Sequence, residues 1–140
     1  MQTRLVATAV LLAAVLSGCS MWYRVRPGQS RPAMARIAPE QRAAIWQRAV
    51  TILLDEGYIP ALLNESTCFI SAHRRVDLVD DALAGTLVLI AISPEGRLRV
   101  EVGGSGIFSS ERELLRAVGE LQARLFSLIV QQPVPAPVAT

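Results

Sequence analysis

The distribution of apolar residues divides the chain into segments with different patterns. Residues 5–16 are apolar except for Thr8, and Arg4 is the only charged residue before them. Twelve helical residues span about 18 Å, short of the ~30 Å hydrocarbon core of a bilayer. A basic start, a short apolar run and small residues behind it are typical of a secretory signal. We therefore assign residues 1–18 to a signal peptide.

Two amphipathic helices enclose the folded part of the chain. After Pro39, apolar residues recur every three or four positions, which predicts a helix that ends before Gly57. A second helix begins at the capping-box pattern of Ser110 and Glu113, and Pro133 ends it. The apolar stripe of this second helix consists of Leu114, Val118, Leu121, Leu125 and Ile129.

Between the two helices the pattern is that of β-strands. Residues 58–62 are extended, and Pro60 confines them to an edge of the sheet. Residues 67–75 form the next predicted strand. The continuous apolar run 86–92 is expected to be a central strand. Alternating apolar and charged residues at 97–102 predict a strand with one buried face.

These elements predict an α+β fold in the order α-β-β-β-β-α. A small antiparallel sheet of three to four strands would carry both helices packed on one face. The glycine-rich segment 103–106 is expected to break the sheet before the second helix. We assign residues 39–132 to this single globular domain and the Pro-rich residues 133–140 to a disordered tail.

The segment 19–38 is expected to be a flexible basic tether. It holds four arginines, two prolines and one glycine, and no acidic residue. From residue 39 onward there are nine arginines and twelve acidic residues. A tether with a net charge of +4 therefore precedes a domain with a net charge of −3. Two interpretations stay open: contact with anionic headgroups, or a solvated spacer, which we prefer. Trp22 and Tyr23 fit either a membrane interface or simple disorder.

The residues at the end of the signal segment carry a specific motif. Leu16-Ser17-Gly18-Cys19 resembles the bacterial lipobox, in which small residues precede an obligatory cysteine. The resemblance implies that the Cys19 thiol carries diacylglycerol, that cleavage falls before Cys19, and that its amino group is then acylated, for example with palmitate. Several acyl chains make a lasting anchor, since each buried methylene contributes about 0.8 kcal/mol. In such lipoproteins a serine in the position of Ser20 favours the outer membrane.

The alternative to lipidation is a plain secretory signal, or a short uncleaved anchor, in which Cys19 stands by chance. The lipobox interpretation accounts for the position of the cysteine, and the alternative does not. We therefore expect Cys19 to attach the chain to the membrane. The net charge of the whole chain, +2, gives no reason to expect a nucleic-acid partner.

Few residues could carry chemistry. His73 is the only histidine, and its spacing from Cys68, Asp77 and Asp80 matches no zinc pattern. Cys68 and His73 would face opposite sides of a strand, so we predict no metal site. Cys68 alternates with apolar residues and is expected to be a buried, inert thiol rather than a nucleophile. No cofactor is expected.

Three other features have ordinary explanations. Residues 73–75 are expected to end a strand at the solvent surface, and Asp77, Asp80 and Asp81 to belong to a solvated loop. The glycines of residues 103–106 precede a helix, as in phosphate-binding loops, but the chain has no lysine to complete such a loop. No catalytic set emerges, and we predict that the chain is not an enzyme.

A second resemblance concerns the domain itself. Gly57-Tyr58-Ile59 closes a predicted helix, and Ile70-Ser71-Ala72-His73-Arg74 lies in the strand that follows. This arrangement is similar to a recurrent pattern in small bacterial lipoproteins, whose frequent glycine before the second strand is here Cys68. The resemblance implies a helix–meander–helix domain like those of accessory lipoproteins in envelope assembly machines, and it brings no catalytic residues.

We therefore expect a non-enzymatic lipoprotein in the inner leaflet of the outer membrane, facing the periplasm. It would act as an accessory subunit through contacts with another envelope protein. The alternative is a periplasmic lipoprotein that binds or senses a lipid or small ligand between the helices and the sheet. A third hypothesis, an envelope hydrolase, would need a polar cluster in a cleft.

Overall fold

The structure, a computed structural model, describes residues 21–75 and 83–130. The predicted signal peptide, Cys19, the loop aspartates and the Pro-rich tail lie outside these residues. The described elements, in chain order, are β1 (Met21–Val25), β2 (Ala33–Arg36), a 3-10 helix (Pro39–Gln41), α1 (Arg42–Asp55), β3 (Ile59–Asn64), β4 (Phe69–Arg75), β5 (Leu83–Ile92), β6 (Arg97–Phe108) and α2 (Glu111–Val130).

The described strands form one antiparallel sheet in the spatial order β1-β6-β5-β4-β3. β2 also pairs with β6, so β1 and β2 lie end to end along the same edge of that strand. β5 contains the apolar run 86–92 and lies in the centre of the sheet, as predicted. β3 contains Pro60 and lies at an edge, where a residue without an N–H donor is tolerated.

Both helices pack on one face of the sheet, which we call the helix face. Alternate residues of the two long strands are buried there, because side chains along a strand point to opposite faces. They are Thr86, Val88, Ile90, Ile92, Leu98, Val100 and Val102. Leu53 of α1 and Leu114, Val118, Leu125 and Ile129 of α2 complete the same core. The opposite surface of the sheet, which neither helix covers, is called the open face below.

Three side chains of α1 hydrogen-bond to neighbouring elements. The Arg42 guanidinium donates to the Ile92 carbonyl at 2.9 Å, and the Trp46 indole N–H donates to the Phe69 carbonyl at 3.2 Å. The Arg48 guanidinium donates to the carbonyl of Ile129, in the last turn of α2, at 3.1 Å. A cation at a helix C-terminus satisfies a carbonyl without an intrahelical partner and opposes the negative end of the helix dipole.

The predicted fold is right in its α+β class but wrong in the number and order of strands. Six strands lie in the described residues, and β1 and β2 precede α1, which gives the order β-β-α-β-β-β-β-α. The two missed strands lie in the segment 19–38, whose arginines, prolines and glycine suggested a flexible tether. Both strands are short, and they gain their hydrogen bonds from the edge of β6, so their own sequence carries little periodicity.

The prediction that residues 103–106 break the sheet is also wrong. β6 continues through these glycines to Phe108 and pairs with β1 along this stretch. The glycines permit close approach on both sides of the sheet. A Cβ on Gly103 would lie 2.5 Å from Pro27 Cδ and 2.7 Å from the Val25 carbonyl oxygen, and one on Gly104 would lie 3.0 Å from a methyl of Val118. Close packing, not flexibility, explains these residues.

A single glutamine fills the gap that β1 and β2 leave along β6. β1 pairs as far as Gly104 and β2 only from Val100, so the intervening Val102 has no strand partner on that side. The buried Gln122 of α2 accepts a hydrogen bond from the Val102 N–H at 3.1 Å and donates one to the Arg31 carbonyl at 2.7 Å. A polar residue therefore stands within the predicted apolar stripe of α2.

Candidate functional site

The predicted lipidation site, Cys19, lies two positions before the first described residue, so the structure describes the residues that follow it and not the cysteine. β1 begins at Met21, whose side chain is exposed together with Trp22. An extended chain rises at most about 3.6 Å per residue, so the Cα of Trp22 lies within about 11 Å of the Cα of Cys19. No helix in the described ranges is long and apolar enough to cross a membrane.

Cys68 is a buried free thiol, although it does not lie in a strand as expected. It precedes β4 and occupies the last position of the turn from β3, with φ of +52°. Its backbone N–H donates to the Glu65 carbonyl at 3.2 Å, and its sulfur lies 3.5 Å from the same oxygen. This left-handed backbone conformation favours glycine, and Cys68 is the one non-glycine residue with a positive φ among the described residues.

His73 is separated from Cys68, since it lies exposed in β4 on the open face, paired with Ile59 and Leu87. The other two members of the sequence cluster, Asp77 and Asp80, fall outside the described residues. Within residues 21–75 and 83–130, no group of three His, Cys, Asp or Glu side chains is placed to hold a metal ion.

Arg74 differs from the expectation that residues 73–75 end a strand at the solvent surface. It is half-buried, and its guanidinium lies 5.2 Å from the ring centroid of Tyr58 and donates to the Glu56 carbonyl at 3.0 Å. The Tyr58 hydroxyl in turn accepts from the buried Thr86 hydroxyl at 3.2 Å. This arrangement ties the end of α1 to β4 and β5, a structural role.

A groove of about 580 Å³ crosses the open face beside β1. The strand register explains its shape, because paired residues of adjacent antiparallel strands point to the same face. One such row runs from Arg24 in β1 through Ser105 and Gly85 to Arg75 in β4. Two long cationic side chains therefore flank a floor made of serine and glycine, and the small floor residues leave the groove open.

The groove has a cationic part and an apolar part. Arg24, Arg26 and Arg75 line it, and no acidic side chain among the described residues does so. Trp22, Leu87 and Leu89 supply the apolar lining. A groove of this composition is suited to an anion attached to an apolar group, since guanidinium groups bind phosphate or carboxylate and the apolar part binds hydrocarbon.

Sequence reasoning did not identify this groove. The sequence predicts that Trp22 and Arg24 belong to a tether and that Arg75 ends a strand, and nothing in it connects these residues. The one indication of a strand here is that Tyr23 and Val25 alternate with Trp22, Arg24 and Arg26. This alternation is too short to predict a strand on its own.

The far edge of the sheet carries a second unusual surface. Ile59, Leu62 and Leu63 of β3 are 61%, 53% and 43% exposed, and we call them the β3 edge patch. β3 is the last strand on this side among the described residues, so one row of its backbone groups has no strand partner. Exposed apolar residues on an unpaired edge strand are typical of a protein-contact surface.

Comparisons with known proteins give no family. No family model matches the chain, and no curated protein matches it. Among solved structures, the chain is similar to one titled "Crystal structure of Ara h 8.0201", with 10% sequence identity and a TM-score of 0.45. That match covers 78% of this chain and 94% of the other. At this TM-score the similarity carries no argument about fold or function.

Proposed function

We propose that this chain is a lipoprotein of the bacterial envelope, held by acyl chains on Cys19 in the inner leaflet of the outer membrane and facing the periplasm. It acts without catalysis, as an accessory subunit that contacts another envelope protein. The lipobox resemblance supports the anchor, and Ser20 supports the outer membrane. The position of the β3 edge patch supports the contact with a protein.

The order of the strands separates the proposed anchor from the β3 edge patch. β1 begins two residues after the anchoring cysteine, and β3 lies at the opposite edge. Four strand spacings of about 4.8 Å place the two edges about 19 Å apart. A chain anchored beside β1 thus leaves the β3 edge patch free to meet a partner. This separation is the observation that carries the proposal.

β3 has the properties of a strand that accepts another strand. Soluble proteins usually protect a sheet edge with charges, but β3 contains no charged residue. Pro60 removes one N–H donor, and a register shift between Pro60 and Leu62 limits the length of regular edge. We infer a short extended segment of the partner, paired with β3 and covering Leu62 and Leu63.

The alternative function, a lipid- or small-ligand-binding lipoprotein, was expected to hold its ligand between the helices and the sheet. Core side chains fill that space: Val88, Ile90 and Leu125 are fully buried there. The groove lies instead on the open face, and it favours an anionic ligand with an apolar part over a purely apolar one.

The anchor is tested with the two cysteines of the chain. A Cys19→Ala variant should lose both membrane fractionation and labelling by an alkyne analogue of palmitate. Cys68→Ala is the matched control, because it removes the only other thiol and should keep both properties. Membrane retention and labelling of Cys19→Ala would contradict the anchor.

The partner contact is tested by in-cell crosslinking and recovery from membranes with the anchor intact. The double variant Ile59→Thr/Leu62→Thr should lose the crosslinked species that the unchanged chain forms. Leu115→Thr/Leu128→Thr is the matched control, since both leucines are exposed apolar residues of α2. The proposal fails if no reproducible partner is recovered, or if both double variants lose it equally.

A further inference from the structure

We propose that the open-face groove binds the phosphate headgroup of an anionic phospholipid in the membrane that holds the anchor. This inference rests on the proposed lipidation of Cys19, which places the groove beside that membrane. The headgroup would be bound by Arg24, Arg26 and Arg75. The open face would then have a fixed orientation relative to the lipid surface.

The charge of the groove selects an anion. All three arginines are exposed, and within the described ranges none of their guanidinium groups has an ion-pair partner. Glu101 stands on the same face, but it is ion-paired with Arg99. Guanidinium groups donate paired hydrogen bonds that match the geometry of phosphate oxygens, so these side chains suit a phosphodiester. Because no acidic side chain of the described residues lines the groove, a headgroup that also carries a cation, such as choline, is repelled by the arginines.

The register of the sheet places two of the arginines at opposite ends of one floor. Arg24 and Arg75 are three strand spacings apart in the register, about 14 Å between Cα atoms. Ser105 and Gly85 lie between them, and a Cβ on Gly85 would already be 3.2 Å from the Ser105 hydroxyl. Arginine side chains are long enough to reach inward from both ends, so one anion above Ser105 can contact both.

The apolar surroundings distinguish a lipid from a free anion. Trp22, Leu87 and Leu89 line the groove beside the arginines, where an inorganic ion would leave them exposed. Trp22 and Ile107 are paired neighbours on the open face, 56% and 47% exposed, and they extend the apolar surface towards the start of β1. Tryptophan next to arginine, within about 11 Å of an acylated cysteine, is the composition of a membrane interface.

The proposal is tested on the full-length lipidated chain in neutral detergent micelles. Water-soluble dihexanoyl phosphatidylglycerol is titrated in, and tryptophan emission is recorded. Exposed Trp22 should respond and buried Trp46 should not, so Trp22→Phe should abolish the signal. Parallel titrations use dihexanoyl phosphatidylcholine and inorganic phosphate. The double variant Arg24→Gln/Arg75→Gln is compared with Arg112→Gln/Arg116→Gln, which removes the same charge from exposed positions of α2.

We expect saturable binding of phosphatidylglycerol, with phosphatidylcholine and phosphate each at least tenfold weaker. The groove variant should bind at least tenfold more weakly, and the α2 variant within twofold of the unchanged chain. Equal affinity for the two lipids, an unchanged groove variant, or an equal loss in both variants would overturn the proposal. Phosphate bound as tightly as phosphatidylglycerol would overturn the lipid assignment in favour of a soluble anion.

The same preparation separates this inference from the proposed function. The mass of the N-terminal peptide reports whether Cys19 is acylated, independently of the titration. An acylated chain without preference for phosphatidylglycerol refutes the headgroup site alone. A chain without acyl groups refutes the anchor, and with it the membrane orientation assigned to the groove.

Discussion

Replacing Gln122 by methionine tests whether one side chain closes the gap between β1 and β2. Gln122 accepts from the Val102 N–H at 3.1 Å and donates to the Arg31 carbonyl at 2.7 Å. Methionine is unbranched and of similar length, but it offers neither hydrogen bond. The buried Val102 amide then lacks an acceptor, which costs about 1–3 kcal/mol. Arg31 is exposed, so water can replace the donor lost by its carbonyl and little is added.

The measurements are urea unfolding and thermal unfolding, each followed by circular dichroism. We expect the free energy of unfolding of Gln122→Met to fall by about 1–3 kcal/mol, and Tm to fall by about 4–8 °C for each kcal/mol. Gln47→Met, at an exposed position of α1, is the control and should stay within about 0.5 kcal/mol of the unchanged chain. A loss no larger than that of the control, with unchanged hydrogen exchange of the Val102 amide, would refute the reasoning.

Four further substitutions test backbone conformation and close packing, each by the same unfolding assay. Cys68→Gly should stay within about 1 kcal/mol of the unchanged chain, because relief of the +52° φ offsets the lost thiol burial, whereas Cys68→Val should lose at least about 2 kcal/mol. A nearly neutral Cys68→Val would contradict the strained turn. Gly103→Ala should lose about 2 kcal/mol or more, because its Cβ would clash with Pro27. Gly119→Ala, in open space on α2, should gain about 0.5–1 kcal/mol, and equal effects at the two glycines would be inconsistent with a close approach at Gly103.

The sequence was sufficient for elements whose own residues determine their structure. Both helices have long apolar stripes, and β5 is a continuous run of β-branched and other apolar residues, so local pattern and burial agree. Pro60 placed β3 at an edge because a missing N–H donor is a local property. In each case the information lies within a window of a few residues.

β1, β2 and the groove depend on contacts between distant parts of the chain, which a local pattern does not contain. β1 exists because β6 continues through Gly103 to Phe108 and offers it an edge, and β2 pairs with the first residues of the same strand. The sequence predicts a break at the same glycines, because it does not tell whether a glycine provides flexibility or close approach. Arg24 and Arg75 lie in one row on the open face, on the first and the last of four adjacent strands, only through the register of three separate pairings. The candidate site could therefore not be predicted from the sequence.

Because β1 and β2 are strands, the arginines that precede α1 are concentrated along one edge of the sheet. The net charge of +4 in residues 20–38 has defined positions on the domain. Arg24 and Arg36 lie in strands that pair with β6, and the Arg31 carbonyl accepts a hydrogen bond from Gln122 of α2. The remaining domain carries −3. With the proposed anchor beside β1, an anionic surface attracts this edge by up to about 1 kcal/mol per arginine and repels the rest of the domain. Charge and anchor thus favour the same orientation, with the β3 edge patch at the edge of the sheet farthest from the anchor.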